Sequence, residues 1–282
     1  VLVEGCARRR LDPVPFLLAL ACAANVGSAA TLIGNPQNML IGQTLHLSFS
    51  GYLLDAGVPS VLGLAAVWLV VRWRVRGQWH KEMPVPDVPV NCFNVWQTGK
   101  GIVVLVLLVI AFLATPWPRD VMAMIAAGVL LTSRRMASRD ILALVDWHLL
   151  VLFGGLFVVN HALEATGALG QAMGGLAASG VPVSQPFWLF GISAFLSNLV
   201  SNVPAVMLLL PSATHPLAGP VLALSSTLAG NLFIVGSIAN IIVVDQAARF
   251  DVRITWRDHA RVGVPVTLLT LALAAGWLWL RG

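Results

Sequence analysis

The sequence predicts an all-α membrane protein with two broken transmembrane helices and a re-entrant hairpin. Three observations carry that prediction. The 282 residues are 58% hydrophobic and only 10% charged, with a mean hydropathy of +0.85, far more apolar than a soluble domain. The charges cluster, and the gaps between clusters suit helices of about 20 residues, the length that crosses a roughly 30 Å hydrocarbon core; the period-two pattern of a membrane barrel is absent. Two glycine- and asparagine-rich stretches, 24–42 and 229–244, interrupt the apolar runs, and Gly34 and Asn38 are spaced as are Gly236 and Asn240. Backbone that leaves helical geometry at membrane depth is tolerated only where protein buries it or it lines a cavity. Two such breaks in corresponding places point to a binding site.

The elements follow in order. After Arg8, Arg9 and Arg10, the Asp12-Pro13 and Pro15 signals start a helix whose first half is 16–24 and whose second half is about 37–47, with Asn35 as N-cap and Pro36 at the first helical position. A span at 52–71 ends in Arg72, Arg74 and Arg76. Residues 77–100, polar and proline-bearing, read as a loop between two halves. Spans at 102–114 and 121–131 form a helical hairpin around Thr115-Pro116-Trp117-Pro118. Residues 141–145 are too short to span and read as interfacial. A span at 147–163 comes next, then a weakly apolar Gly/Ala-rich stretch at 167–183 that reads as a further interfacial helix. Residues 187–210 are apolar at both ends with Ser197, Asn198, Ser201, Asn202 and Pro204 in the middle, the pattern of a re-entrant hairpin whose tip lies at membrane depth. Residues 217–244 hold the second broken helix, and 262–280 the last span, with Trp277 and Trp279 as interface anchors.

Charge orients this scheme. If Arg8 is cytoplasmic, alternation of spans puts all of the 17 Lys and Arg on that side except Arg119 and Arg281, as the positive-inside rule requires. The first broken helix then starts inside and the second outside, so the repeats are inverted, a hallmark of secondary transporters. The domain reading is a remnant of the first repeat at 1–76, a cytoplasmic loop at 77–100 and a second repeat at 101–282. The first repeat is incomplete, because few apolar elements precede its break. With Val at position 1, the sequence reads as N-terminally truncated.

Three motifs carry a family resemblance: Asn25-Val26-Gly27-Ser28 through Thr31-Leu32-Ile33-Gly34-Asn35-Pro36-Gln37-Asn38; Ser197-Asn198-Leu199-Val200-Ser201-Asn202-Val203-Pro204; and Leu228-Ala229-Gly230-Asn231 through Gly236-Ser237-Ile238-Ala239-Asn240. In this order they resemble the citrate-transporter-like anion permeases of the ion transporter superfamily, which include divalent anion/sodium symporters and arsenite efflux pumps. The resemblance covers essentially the whole chain. It implies two hairpins with Asn-containing tips facing two broken helices, with substrate held between the tips near the membrane middle, and a homodimer with an elevator-like motion. Ser201 and Asn202 match a tip; the hairpin that should precede the first broken helix has no counterpart beyond residues 1–5.

The residue chemistry agrees. No Lys or Arg stands in the middle of a proposed span, so an anion there must be held by half-helix N-termini and by Asn, Ser and Thr donors. Broken-helix carbonyls serve a coupling cation, Na+ or H+. The expected substrate-binding residues are Asn25, Gly27, Ser28, Thr31, Asn35, Asn38, Ser197, Asn198, Ser201, Asn202, Asn231, Ser237 and Asn240; the expected cation-binding residues are Gly34, Asn38, Asn202, Gly236 and Asn240. No catalytic residue, metal or cofactor is expected. Cys6, Cys22 and Cys92 form no C-x-x-C pair, no H-E-x-x-H occurs, and the basic residues do not interleave with aromatics as a nucleic-acid surface would. The expected partners are a small anion, the lipid bilayer of a bacterial inner membrane and a second copy of the chain.

Each feature also has a plainer reading. Glycines in membrane helices serve close packing, and Ser197 to Asn202 could be an interhelical hydrogen-bonding face. His161 and Glu164, at i and i+3, could relay protons, and Asp245 is interfacial unless it couples transport. The rivals to an anion carrier are a Na+/H+-type antiporter, which needs a membrane-embedded carboxylate, and a non-transporting membrane subunit.

Overall fold

The computed structural model describes residues 1–77, 79–81, 95–115, 117–132, 147–167 and 178–281, with residues 139, 142, 143, 145, 171, 174 and 175. It divides into two compact units, one of residues 1–87 and 160–282, the other of residues 88–159. Within the stretches expected as interfacial, 141–145 and 167–183, residues 141, 144, 168–170, 172, 173, 176 and 177 lie outside the described residues. So do most of 77–100 and the side chain of Glu164.

Every regular element among the described residues is an α-helix or a 3-10 turn. In the larger unit, α1 (Leu2–Arg8) leads into α2 (Pro13–Ser28), capped by Asp12, whose carboxylate accepts from Val14 N at 3.2 Å. A break follows, then α3 (Pro36–Thr44) and α4 (Phe49–Val75), the latter capped by Ser48. Further along come α8 (Pro186–Val200), α9 (Asn202–Leu209) and α10 (Ala218–Ala229). A second break leads to α11 (Ile238–Ala248), and α12 (Trp256–Arg281) ends the unit. In the smaller unit α5 (Val95–Ala114) and α6 (Arg119–Leu131) pack on each other as the expected helical hairpin, with Lys100 Nζ donating to Val129 O at 2.7 Å. The boundary between units falls inside α7 (Trp147–Ala165).

Among the described residues α4, α5 and α12 are each long and apolar enough to cross a membrane. Two helices run past the limits that hydropathy suggests. The α2 helix continues to Ser28, past the expected end at 24, because its terminal polar side chains find partners across the molecule. The α12 helix starts at Trp256, ahead of the expected 262. There Thr255 N donates to Asp258 Oδ2 at 3.1 Å and Asp258 N to Thr255 Oγ1 at 3.2 Å, a reciprocal cap that carries the helix through Arg257 and Arg261. Trp277, expected as an interface anchor, instead donates from Nε1 to Asp55 O at 2.8 Å, and Arg281 pairs with Asp55 at 2.6 Å. Together they pin α12 to α4. Trp279 is exposed.

The centre of the larger unit is α10. All of its residues are buried, and α2, α3, α4, α8, α9 and α12 surround it. Small residues permit this crowding; the hydroxyls of Ser225 and Ser226 donate to Val221 O and Leu222 O one turn back, so their burial leaves nothing unsatisfied. Packing between the helices that flank the two breaks is reciprocal. The α2 helix packs on α11, and α10 packs on α3. Leu17 and Ala247 share one apolar cluster, while Gly219 faces Leu45 and Leu47 so closely that a Cβ there would lie 2.6 Å from Leu47 Cδ1.

Candidate functional site

Each break is closed by an asparagine on the helix that follows it. In the first, Asn35 is the expected N-cap, its Oδ1 accepting from Asn38 N at 2.8 Å. Asn38 Nδ2 reaches back to Ser28 O at 3.3 Å and Thr31 O at 3.0 Å. In the second, Ser237 caps α11 by accepting from Ala239 N, and Asn240 Nδ2 reaches back to Gly230 O at 2.9 Å and Phe233 O at 3.1 Å. The sequence separations are the same in both breaks, 10 and 7 residues. Glycine is required at Gly34, where a Cβ would fall on the Ser28 carbonyl. At Gly236 it would lie 3.0 Å from Gly230 O.

The breaks are joined by cross-bonds with the same reciprocity. Ser237 Oγ donates to Asn25 Oδ1 at 2.6 Å, and Asn35 Nδ2 donates to Thr227 Oγ1 at 3.1 Å. The capping residue of each break thus bonds the end of the other first half-helix. Asn25 Nδ2 also donates to Asn231 Oδ1 at 2.8 Å and Asn240 Oδ1 at 3.2 Å, and Gln37 Nε2 to Thr227 Oγ1 at 3.2 Å. A ring from the second helix after each break holds one carbonyl in it: Tyr52 OH on α4 donates to Ala29 O at 2.7 Å, and His259 Nε2 on α12 lies 3.0 Å from Asn231 O.

The junction of α8 and α9 lies against the second break. A Cβ on Gly236 would lie 3.1 Å from Asn198 Oδ1, and one on Gly230 3.2 Å from Asn202 Nδ2. The single residue between the helices is Ser201, at φ 78° and ψ 159°, a region otherwise occupied almost only by glycine and costly for a side chain. Several buried polar atoms around these elements have no protein partner: Asn38 Oδ1, Ser197 Oγ, Asn198 Oδ1, Asn202 Oδ1 and Asn231 Nδ2. Among the described residues no Lys, Arg, Asp or Glu is buried. The cluster therefore offers amide, hydroxyl and carbonyl groups without a fixed charge.

Of the residues expected at a site, Asn25, Ser28, Asn35, Asn38, Asn231, Ser237 and Asn240 join this hydrogen-bonded network, Thr31 through its carbonyl. Asn198 and Asn202 abut the second break, and Gly236 is buried beneath them. Ser197 is buried, and Ser201 is exposed at the junction. Gly34 is exposed, and Gly27 faces open space on the outer side of α2. Sequence reasoning passed over Gln37, Tyr52, Thr227 and His259. One signal was available, since Tyr52 is the chain's single tyrosine and stands in an apolar span.

Such a helical membrane protein, with two helix breaks joined through uncharged polar side chains, has the construction of a membrane transporter. Residues 1–221 match the citrate transporter family, and the chain belongs to that family. It is similar to an uncharacterized transporter of Mycobacterium tuberculosis, 31% identical over 98% of this chain and 69% of that protein. The inner membrane protein YbiR of Escherichia coli is 31% identical over 89% of this chain and 63% of that protein. The silicon efflux transporter LSI3 of Oryza sativa subsp. japonica is 27% identical over 96% of this chain and 71% of that protein. The chain is therefore an integral membrane transport protein and not an enzyme.

Proposed function

We propose that the protein is a secondary active transporter of a small anion, a di- or tricarboxylate or an inorganic oxyanion, coupled to Na+ or H+ and working by alternating access in a bacterial inner membrane. The observation that carries this reading is the set of buried, unpartnered polar atoms where α8, α9 and the second break meet. Such atoms are costly in a protein interior and suit a site that a polar ligand completes. Asn231 Nδ2 and the N-terminus of α11 are donors for an anion. Gly230 O, Gly236 O, Asn198 Oδ1 and Asn202 Oδ1 are acceptors for a cation. Cation and anion compensate each other, so binding both costs less than binding either.

The two breaks are the cores of inverted repeats in this reading, which the matched separations and reciprocal cross-bonds support. The α8–α9 pair is the re-entrant hairpin with Ser201 and Asn202 at its tip. The larger unit, which holds the breaks and the tip, is the body that carries substrate; α5 and α6 belong to a scaffold, and the working form is a homodimer. Against an antiporter, Asp245 is exposed and pairs with Arg249 at 3.1 Å.

The test is uptake and efflux in proteoliposomes with citrate, succinate, sulfate, arsenite and silicic acid, with and without a Na+ gradient. Saturable movement of citrate, succinate or sulfate that Asn202→Ala abolishes supports the reading, and movement of only the uncharged arsenous or silicic acid overturns the anion assignment. Na+/H+ exchange without movement of any solute overturns the reading.

A further inference from the structure

We propose that His259 is a positioning residue for the substrate: it fixes the Asn231 backbone so that Asn231 Nδ2 stands free as a donor. The inference rests on the transport reading above and adds to it a residue outside every motif. His259 is 2% exposed and sits in the first turn of α12. Because Asn231 O can only accept, His259 Nε2 carries the proton of their 3.0 Å contact. Asn231 is fully buried. Its backbone N donates to Leu228 O at 3.3 Å, its carbonyl is held by His259, and its Oδ1 accepts from Asn25 at 2.8 Å. Every polar group of the residue is engaged except Nδ2. The amide is locked with its donor end vacant.

The α12 helix is shaped to this contact. Gly263, one turn beyond His259, faces the same carbonyl; a Cβ there would collide with Asn231 O and lie 2.8 Å from His259 Nε2. The first break supplies an internal control. Ala29 precedes Asn38 by as many residues as Asn231 precedes Asn240, and its carbonyl is held by Tyr52, a buried ring on α4, the second helix after that break. Alanine has no amide to aim. The two rings do the same mechanical work, but only His259 works on a residue with a free donor.

The experiment compares variants of the full chain in proteoliposomes, with the anion that the wild type moves. His259→Leu is expected to raise KM about fivefold or more, the worth of one net hydrogen bond, with Vmax per inserted molecule nearly unchanged. His259→Gln, whose amide N–H can reach the same carbonyl, is expected to restore KM. In an Asn231→Ala background His259→Leu is expected to add nothing. If His259→Leu inserts poorly, Gly263→Ala presses on the same carbonyl and is expected to raise KM likewise. A wild-type KM in His259→Leu, or a KM increase that survives in the Asn231→Ala background, overturns the proposal. Amide hydrogen exchange separates this failure from failure of the transport reading. His259→Leu is expected to speed exchange over residues 229–237 and not over 29–35 whether or not a solute is moved, and unchanged exchange at 229–237 also overturns it.

Discussion

Asn38 and Asn240, near opposite ends of the chain, make the same pair of hydrogen bonds, each donating from Nδ2 to carbonyls 10 and 7 residues earlier. A broken helix leaves carbonyls that nothing in the bilayer can satisfy. One side-chain amide closes two of them. Each asparagine also makes one side-chain bond, Asn38 to the Tyr52 hydroxyl and Asn240 from Asn25, so Asn38→Ala and Asn240→Ala are expected to destabilise the protein by similar amounts, about 3 kcal/mol for three lost bonds. Thermal unfolding of purified protein followed by tryptophan fluorescence measures this, and a large effect from only one of the two would contradict their equivalence.

Asn25 is the link between the breaks, donating to Asn231 and Asn240 and accepting from Ser237. Asn25→Asp keeps the acceptor and sets a carboxylate against two carbonyl-type oxygens. It is expected to cost more transport than Asn25→Ala, with both variants present in the membrane at wild-type abundance. Solute movement per inserted molecule is the readout.

Glycine at the breaks is a matter of space, and the structure sorts the glycines accordingly. A methyl group at Gly236 would occupy the gap between Gly230 O and Asn198 Oδ1, so Gly236→Ala is expected to abolish activation by the coupling cation. Gly27 has nothing within 4 Å of an added Cβ, so Gly27→Ala is expected to leave stability within about 0.5 kcal/mol of wild type and transport intact. Titration of uptake against Na+ and pH tests the transport of both variants, and thermal unfolding tests the stability of Gly27→Ala.

Ser201 holds a backbone conformation that glycine adopts without penalty. Ser201→Gly is expected to raise stability by about 1 kcal/mol, read as a higher thermal midpoint. A lower midpoint would mean that the hydroxyl makes up for the strain.

Much of this was legible in the sequence. Composition determined that the chain is a helical membrane protein, because a chain so apolar cannot present a soluble surface. The recurring Gly-to-Asn spacing marked both breaks, since the backbone there needs a residue without Cβ and a nearby amide. The Asn35-Pro36 cap was readable because capping is local. Helix limits were less legible: α12 begins at Trp256, ahead of the charged Arg257 and Asp258, because a local cap outweighs hydropathy.

Only the tertiary structure decided which polar residues meet. That Ser237 bonds Asn25 while Asn35 bonds Thr227 depends on α2 packing against α11 and α10 against α3, contacts that no local pattern encodes. The same holds for Tyr52 and His259, which look like scattered polar residues until α4 and α12 fold against the breaks. Local propensity and hydropathy act over a few neighbouring residues and so are written along the chain. Satisfying a buried amide takes a partner anywhere within hydrogen-bonding reach, and that partner is set by packing in three dimensions.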